Sequence, residues 1–258
     1  MNAMQNDISR RQALALSATL TAGALLNLDV MAAAAPKRRV VVWSERTAPK
    51  EVYPNDINCA IADALKDLPG WEVVTASIDD PDQGVSEASL QQTDVLIWWG
   101  HKRHGEVKDE LVERIVKRVK EEGMGFLSVH SSHFAKPYKK LMGTACSWGE
   151  YKVDGSSARI IVKDAQHPIA KGVKDFELAQ VERYAEPFAV PTPEAVVFEG
   201  IYKMHGGQEQ TARMGMAWTV GQGKVLYFQP GHETYEELRH PEVKKLFRNA
   251  VQWAAPKR

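Results

Sequence analysis

The sequence predicts an α/β protein built on a doubly wound, mostly parallel sheet. Four short apolar segments, rich in β-branched and aromatic residues, recur along the first half of the chain as buried strands do. Two segments with helical spacing of apolar residues lie between them, and the connections are short. This alternation is typical of βαβ units that build a parallel sheet. The predicted strands span residues 40–43, 71–75, 94–100 and 126–129.

The two predicted helices each place their apolar residues on one face. In residues 57–68 apolar side chains recur at helical spacing, and a Pro-Gly pair follows. Residues 107–120 carry a second apolar stripe, and Gly123 is expected to cap that helix. The strand at residues 94–100 is apolar nearly throughout, which is typical of a parallel strand covered on both faces.

The second half of the chain predicts an antiparallel insertion followed by a return to the main sheet. Residues 150–162 alternate around Asp154 and Gly155, and this pattern predicts a β-hairpin. The other predicted elements are a short helix at 138–142, an extended segment at 181–186, strands at 214–220 and 224–228, and a final helix at 241–253.

The composition is that of an ordinary soluble globular protein. Hydrophobic residues make up 44% of the 258 residues and charged residues 26%. Lys and Arg number 33, as do Asp and Glu, so no basic surface for nucleic acid or anionic lipid is predicted. Cys59 and Cys146 lack the spacing of a metal site, and we expect two buried free thiols, although pairing in an oxidising compartment stays open.

The N-terminal residues predict an export signal. Arg10 and Arg11 form a pair that resembles a twin-arginine motif. An uncharged, weakly apolar run follows, and small residues at 31–35 offer a cleavage site. The run is too short for a comfortable membrane span, so no membrane association is predicted. We therefore expect residues 1–35 to direct the domain formed by residues 36–258 to the periplasm.

Histidines cluster at the ends of predicted strands. His101 and His104 follow the third strand, His130 and His133 follow the fourth, and His232 follows the last. The carboxyl ends of parallel strands lie at one edge of a sheet, where ligands bind. A single histidine is more often a packing or surface residue, but three groups at one edge favour a transition-metal site, because neutral imidazole suits Zn, Ni, Cu or Fe.

Five segments together resemble the ThuA family, which is named for trehalose utilisation. They are residues 98–104, 124–134, 141–146, 182–184 and 227–235, within a resemblance that spans residues 39–256. The resemblance implies a flavodoxin-like fold of the class I glutamine amidotransferase type. Amidotransferases place a nucleophilic cysteine at the corner after a central strand, whereas this chain has His130 and Ser131 there. Glutaminase chemistry by a thiolate is therefore not expected.

The resemblance implies an enzyme that acts on 3-keto glycosides such as 3-keto-trehalose, with a sugar 3-dehydrogenase as its functional partner. Its expected cofactor is a divalent transition metal, zinc in the first place. The metal ligands implied in this way are His101, His130, Glu182 and His232. The residues implied in proton transfer are His104 and His133. The residues implied in sugar binding are Trp43, Glu45, Arg46, Trp99, Tyr184 and Glu186.

Two other interpretations stay open at this point. A metal-dependent isomerase or hydrolase acting on an unoxidised sugar would use the same residues. A non-catalytic periplasmic binding protein could also reuse the fold, since fold alone does not determine function. The family resemblance allows self-association as well, and the sequence does not decide the oligomeric state.

Overall fold

The computed structural model describes residues 37–257. Its strands are β1 (Arg38–Ser44), β2 (Trp71–Ser77), β3 (Val95–Trp99), β4 (Gly125–Val129), β5 (Glu150–Lys152), β6 (Ser157–Val162), β7 (Phe176–Leu178), β8 (Arg183–Ala185), β9 (Ala195–Lys203), β10 (Glu209–Val220) and β11 (Gly223–Phe228). Its α-helices are α1 (Ile57–Leu65), α2 (Glu87–Gln91), α3 (Asp109–Glu122), α4 (Lys136–Met142) and α5 (Pro241–Ala254).

The described residues form a nine-stranded mixed sheet with the order β2-β1-β3-β4-β11-β10-β9-β6-β7. The first five strands of this order are mutually parallel. Their carboxyl ends therefore lie at the same edge, and the loops that follow β1, β3, β4 and β11 meet there. This edge carries the predicted histidine groups.

Helices cover both faces of the parallel half. Helix α1 packs on β1, β2 and α5, while α3 packs against α2 and α4. Strands β1, β3 and β4 are accordingly buried along nearly their whole length, as expected for apolar parallel strands, whereas the edge strand β2 is partly exposed. Gly123 ends α3 in the left-handed conformation with a φ of 76°, which confirms its predicted role as a cap. The predicted doubly wound α/β class is confirmed.

The antiparallel half differs from the prediction first in the pairing of β5 and β6. Residues 150–162 do not form a hairpin: β5 pairs with β8 in a separate two-stranded sheet, and β6 pairs with β7 and β9. Asp154 does turn the chain, but its carboxylate accepts from Ser156 and from the buried Arg183 of β8. The turn thus separates two strands that belong to different sheets.

Strands β7 and β9 and helix α2 were not predicted. Strand β11 and helix α5 appear where the sequence placed them, and β10 begins five residues before the predicted start at Met214. Both cysteines are free thiols; Cys146 is buried and Cys59 is partly exposed. Within residues 37–257, none of the helices combines the length and apolar character that crossing a membrane requires. The predicted export signal at residues 1–35 lies outside the described residues.

Candidate metal centre

His130 occupies a backbone corner directly after β4. Its φ is 57°, in the left-handed region that side chains with a Cβ rarely adopt. This is the conformation of a nucleophile elbow, and it turns the chain sharply into a short 3₁₀ helix, His130–Phe134. The His130 side chain is fully buried, and its Nδ1 lies 2.9 Å from the carbonyl oxygen of Gln229. Nδ1–H therefore donates to that carbonyl, and Nε2 faces the other histidines.

His101 and His232 complete a triangle of imidazole rings with His130. The ring centroids are 5.8 Å apart for His101 and His130, 5.3 Å for His101 and His232, and 5.4 Å for His130 and His232. Each ring has a hydrogen-bond partner at its Nδ1 atom. Ser131 Oγ lies 2.6 Å from Nδ1 of His101, and Thr234 Oγ1 lies 2.7 Å from Nδ1 of His232. The Nε2 atoms are thereby oriented towards a common space.

Two carboxylates adjoin the three rings. Glu182 Oε2 lies 3.0 Å from His130 Nε2 and 3.7 Å from His232 Nε2, and it accepts the Tyr184 O–H at 2.9 Å. Glu233 approaches from the other side, with 3.5 Å from its Oε1 to His101 Nε2 and 3.7 Å from its Oε2 to His232 Nε2. Both carboxylates are largely buried, so their negative charges are directed at the imidazoles.

The electrostatics of the cluster follow from burial and from the Glu182 charge. Burial lowers the pKa of His232 to about 4, and it lowers the pKa of His101 as well, with the His130 charge adding to both effects. Burial also opposes protonation of His130, but the hydrogen bond and charge of Glu182 outweigh it and raise the pKa of His130. Burial alone would raise the pKa of Glu182, but the hydrogen bond and charge of His130 lower it to about 2.

These residues fit a transition-metal ion. His101, His130 and Glu182 each offer one ligand atom within 4.8 Å of the others, and so do His101, His232 and Glu233. His101 and His232 carry neutral rings with lone pairs at neutral pH. Imidazole and carboxylate donors held by supporting hydrogen bonds are typical of zinc and related ions.

Two buried glutamates hold the loops that carry the histidines. Glu45 Oε2, at the end of β1, accepts the backbone N–H groups of residues 101–103 at 2.7–2.8 Å. Glu237 Oε2 accepts the N–H groups of Gly231 and His232, the latter at 2.7 Å. Burial raises the pKa of Glu237 to about 7. The positions of His101 and His232 are therefore fixed by backbone hydrogen bonds as well as by their rings.

The sequence model of the ThuA family, described as trehalose utilisation, matches residues 39–254. The chain belongs to the ThuA family. No curated protein matches it significantly in sequence.

Solved structures support the ThuA fold. A putative ThuA-like protein from Parabacteroides merdae superposes with a TM-score of 0.61 at 12% identity, covering 85% of this chain and 90% of that one. A second one, from Bacteroides uniformis, gives 0.57 at 16% identity, covering 86% and 92%. A glutamine amidotransferase from Thermotoga maritima gives 0.50 at 11% identity, covering 83% and 96%. The predicted amidotransferase-like fold is thereby confirmed.

The structure brings together five of the residues that the ThuA resemblance indicated. His101, His130, Glu182 and His232 form the cluster itself. Tyr184 joins them through its hydroxyl group, which lies 2.7 Å from Ser131 Oγ, 2.9 Å from Glu182 Oε2 and 3.3 Å from His130 Nε2.

The two histidines expected in proton transfer occupy other positions. His133 is fully buried among aromatic rings, and its Nδ1 lies 2.6 Å from the carbonyl oxygen of Cys146. Burial lowers the pKa of His133 to about 3, which favours the neutral ring, and its assignment to proton transfer stays a prediction. His104 pairs with Glu45, 3.5 Å from its Nδ1 to Oε1, and burial lowers its pKa too.

Both tryptophans assigned to sugar binding lie in the interior of the structure. Trp43 has no exposed surface and stacks on Trp98 with ring centroids 3.6 Å apart, so it is a core residue. Trp99 is also fully buried, and its Nε1–H donates to the Gly231 carbonyl at 2.9 Å. Both indoles are enclosed by other side chains in this structure, and their assignment to sugar binding stays a prediction.

The charged residues of the same set have structural partners. Arg46 donates to Asp80 at 3.3 Å and is half exposed. Glu186 forms an ion pair with Arg213, at 2.8 Å from Oε1 to Nε. Glu45 supports the His101 loop, as described above. These contacts place Glu45 at the backbone of His101, and they do not bring Arg46 or Glu186 to the imidazole triangle.

Sequence reasoning missed Glu233, Ser131 and Lys102. Lys102 Nζ lies 2.7 Å from Glu233 Oε1. Burial alone would raise the pKa of Glu233, but the Lys102 hydrogen bond and the neighbouring histidines lower it. The signal was present, because Glu233 stands next to His232 and Lys102 next to His101.

Proposed function

We propose that this ThuA-family protein is an exported, metal-dependent enzyme that cleaves the glycosidic bond of 3-keto glycosides such as 3-keto-trehalose. The observation that carries this proposal is the triangle of three imidazoles with Glu182 at the carboxyl edge of the parallel sheet. Burial of such a donor set without a ligand costs free energy, because charged and polar groups lose their hydration in the interior. The family description, trehalose utilisation, supports a sugar as the substrate.

His101, His130, Glu182 and His232 would hold the ion, with zinc as the first expectation. A bound divalent ion would supply Lewis acidity to oxygen atoms of the sugar. The keto group itself acidifies the neighbouring C2–H bond. These two effects make removal of the C2 proton feasible at neutral pH.

Glu233 is the base that we assign to this proton. Lys102 and the neighbouring histidines keep its carboxylate ionised, and its Oε2 is buried without a hydrogen-bond donor in the described part of the chain. When the C2–H bond breaks, the proton moves to Glu233 and the electron pair forms the C1–C2 double bond as the C1–O bond breaks.

The departing oxygen needs a proton, and Tyr184 is the donor that we assign. Burial raises the pKa of Tyr184 well above its ordinary value, so the group is a neutral O–H donor at pH 7. Ser131 Oγ lies 2.7 Å from that hydroxyl and 2.6 Å from His101, which provides a path for its reprotonation.

The reaction needs a substrate that is already oxidised at C3. Cleavage by proton removal consumes no oxidant, so a separate sugar 3-dehydrogenase has to make the keto group first. We propose that this oxidoreductase is the functional partner and that both activities meet in the periplasm.

The proposal is tested by metal analysis together with a keto-glycoside assay. We expect purified wild-type protein to hold about one transition-metal ion per chain and to consume 3-keto-trehalose in a chelator-sensitive way. His130→Ala should lose the ion and at least about a hundredfold in rate. His205→Ala, which changes an exposed loop histidine, is the matched control and should retain both.

Two results would contradict the proposal. One is metal-free protein with unaltered turnover of 3-keto-trehalose. The other is consumption of plain trehalose while the keto-glycoside survives, which would instead indicate an enzyme for unoxidised sugars. If neither sugar is consumed and metal is absent, the non-catalytic interpretation is favoured.

A further inference from the structure

Two aromatic side chains remain at the surface beside the imidazole triangle. In the described residues the exposed large hydrophobic side chains are Phe134, Tyr151 and Val153, at 36%, 37% and 59% exposure. Phe134 and Tyr151 are neighbours, with ring centroids 5.8 Å apart and ring planes inclined by 35°. We call this pair the aromatic rim. Exposed apolar groups that cluster, rather than scatter, mark contact sites.

The aromatic rim adjoins the candidate metal centre through a single ring. The Tyr151 ring centroid lies 5.1 Å from that of Tyr184, and the Tyr184 centroid lies 5.2 Å from that of His130. The rim comes from two separate parts of the chain. Phe134 ends the 3₁₀ helix that starts at His130, and Tyr151 lies in β5.

A buried layer holds the aromatic rim in place. His133 lies beneath both rings, with centroid distances of 4.1 Å to Phe134 and 5.7 Å to Tyr151. The Tyr151 hydroxyl accepts the backbone N–H of Trp148 at 2.8 Å. The exposed surface of the rim is therefore preorganised, which reduces the entropy lost when a ligand binds.

Polar groups and space accompany these rings. A surface cavity of about 510 Å³ opens beside Phe134, and Tyr151 is not part of its lining. The charged residues that line it are Asp109, Glu113, Lys136, Lys139 and Lys140. This volume falls in the usual range for small-molecule sites. Lys139 Nζ lies 5.8 Å from the Phe134 ring centroid, where its N–H groups can donate to hydroxyl groups.

We infer that the aromatic rim, Phe134 and Tyr151, is the subsite that binds the leaving group of the glycoside, a second pyranose in the case of a disaccharide. This inference rests on the proposed function for its reaction. A pyranose presents C–H bonds on its faces and hydroxyl groups at its edge. The negative face of an aromatic ring attracts such C–H bonds, and the Lys139 ammonium group can donate to the hydroxyl groups. Lys136 and Lys140 already form ion pairs with Asp109 and Glu113.

The geometry also explains why the rim would hold the leaving group rather than the reacting sugar. The reacting C2 and C3 atoms belong beside His101, His130 and Glu233. Tyr184 separates that position from Tyr151, and Tyr184 is the donor assigned to the departing oxygen. The leaving group lies on the far side of that oxygen, which is the side where the rim stands.

Binding of unoxidised trehalose to chelator-treated protein tests the rim without metal or turnover. We expect Phe134→Ala and Tyr151→Ala each to raise the dissociation constant for trehalose about tenfold, measured by calorimetry or saturation-transfer NMR. Phe134→Tyr retains an aromatic face and should bind as wild type does. Val153→Ser removes the third exposed hydrophobic side chain and is the matched control. Thermal unfolding of each variant verifies that the fold is intact.

A second readout uses two keto-glycosides that differ only in the leaving group. The alanine variants should raise KM about tenfold for 3-keto-trehalose, leave kcat unchanged, and leave both constants unchanged for methyl 3-keto-glucoside. Equal effects on the two substrates, or unaltered trehalose binding in both variants, would overturn the subsite. So would a change in sedimentation mass with trehalose binding unaltered, which would make the rim a contact between copies.

The two proposals fail separately. If the rim variants lose trehalose binding but wild-type protein never cleaves a keto-glycoside, the proposed reaction is wrong and the sugar-binding surface remains. If wild-type protein cleaves 3-keto-trehalose and the rim variants show unaltered binding and KM, the subsite alone is wrong.

Discussion

The positive φ of His130 has a cost and a purpose. An ordinary residue in the left-handed region is destabilised by about 1 kcal/mol or more relative to the right-handed one. In this chain the corner directs the His130 ring towards Glu182, and the Gln229 carbonyl fixes its Nδ1–H. A backbone position that serves a nucleophile in related folds therefore presents a metal-binding nitrogen in our proposal.

His133 makes the stability of the protein depend on pH. Its pKa is about 3 in the folded protein and about 6.5 when the chain is unfolded, so unfolding takes up a proton at acidic pH. The stabilisation by the neutral ring is present above pH 6.5 and is lost as the pH falls from about 6.5 towards 3. Between pH 7 and pH 5 this single group should account for about 2 kcal/mol.

The measurement is urea unfolding of wild-type protein and of His133→Phe at both pH values, with chelator present. Phenylalanine fills the same aromatic surroundings but does not titrate. The other buried histidines contribute equally to both proteins, so they cancel in the difference. We expect the stability advantage of wild type over the variant to shrink by about 2 kcal/mol between pH 7 and pH 5. A difference that is constant with pH would show that His133 is not held neutral.

At this scale the sequence predicted the residue types of the site better than their roles. His101, His130 and His232 could be grouped because each follows a parallel strand, and parallel strands end at one edge. Burial could not be predicted residue by residue. The ThuA resemblance implied a sugar-binding role for Trp43, whose ring lies against Trp98 inside the core.

Among the elements, those determined by local pattern were predicted and those determined by distant pairing were not. Strands β1 to β4 and helices α3 and α5 show their periodicity within a few residues. Strand β5 pairs with β8, which lies about thirty residues later in the chain. The turn residues near β5 do not reveal so distant a partner. The alternation around Asp154 is therefore real, but its hydrogen-bond partners are elsewhere in the chain.

Arg183 is the side chain that joins these distant segments. It is 5% exposed and donates to Glu150 at 2.7 Å, Asp154 at 3.1 Å and Gln210 at 2.5 Å. Arg183→Leu should lower the free energy of unfolding by about 2 kcal/mol, because it leaves these acceptors without their donor. The partly exposed carboxylates regain water, which keeps the loss below that of a fully buried pair.

The same variant should weaken metal binding about tenfold, since Glu182 and Tyr184 flank Arg183 and depend on its position. Arg159→Leu, on the exposed side of β6, is the matched control and should change neither quantity. Urea unfolding and metal titration provide the two readouts. Unchanged stability in Arg183→Leu would show that the strand pair is held by its backbone hydrogen bonds alone.

In the whole molecule, the candidate site lies where the two halves of the sheet meet. The parallel half supplies His101, His130 and His232 from the carboxyl ends of its strands. The antiparallel insertion supplies Glu182 and Tyr184 from the β8 segment, and Tyr202 of β9 donates to Gln229 at 2.9 Å beneath them. The position of the candidate site at this sheet edge could be predicted from the parallel topology. The contribution of Glu182 and Tyr184 from the insertion could be predicted only from the family resemblance.

The proposed export route follows from the same view of the molecule. Twin-arginine transport carries folded proteins, which suits a domain whose metal ligands come from segments as distant as His101 and His232 and meet only after folding. Arg10→Lys/Arg11→Lys should therefore leave the protein in the cytoplasm with its metal bound, as measured by cell fractionation and metal analysis. The chain offers its own control in a second pair, Arg38 and Arg39 at the start of β1. Arg38→Lys/Arg39→Lys should be exported normally, and unaltered export of the Arg10 and Arg11 variant would remove the twin-arginine route.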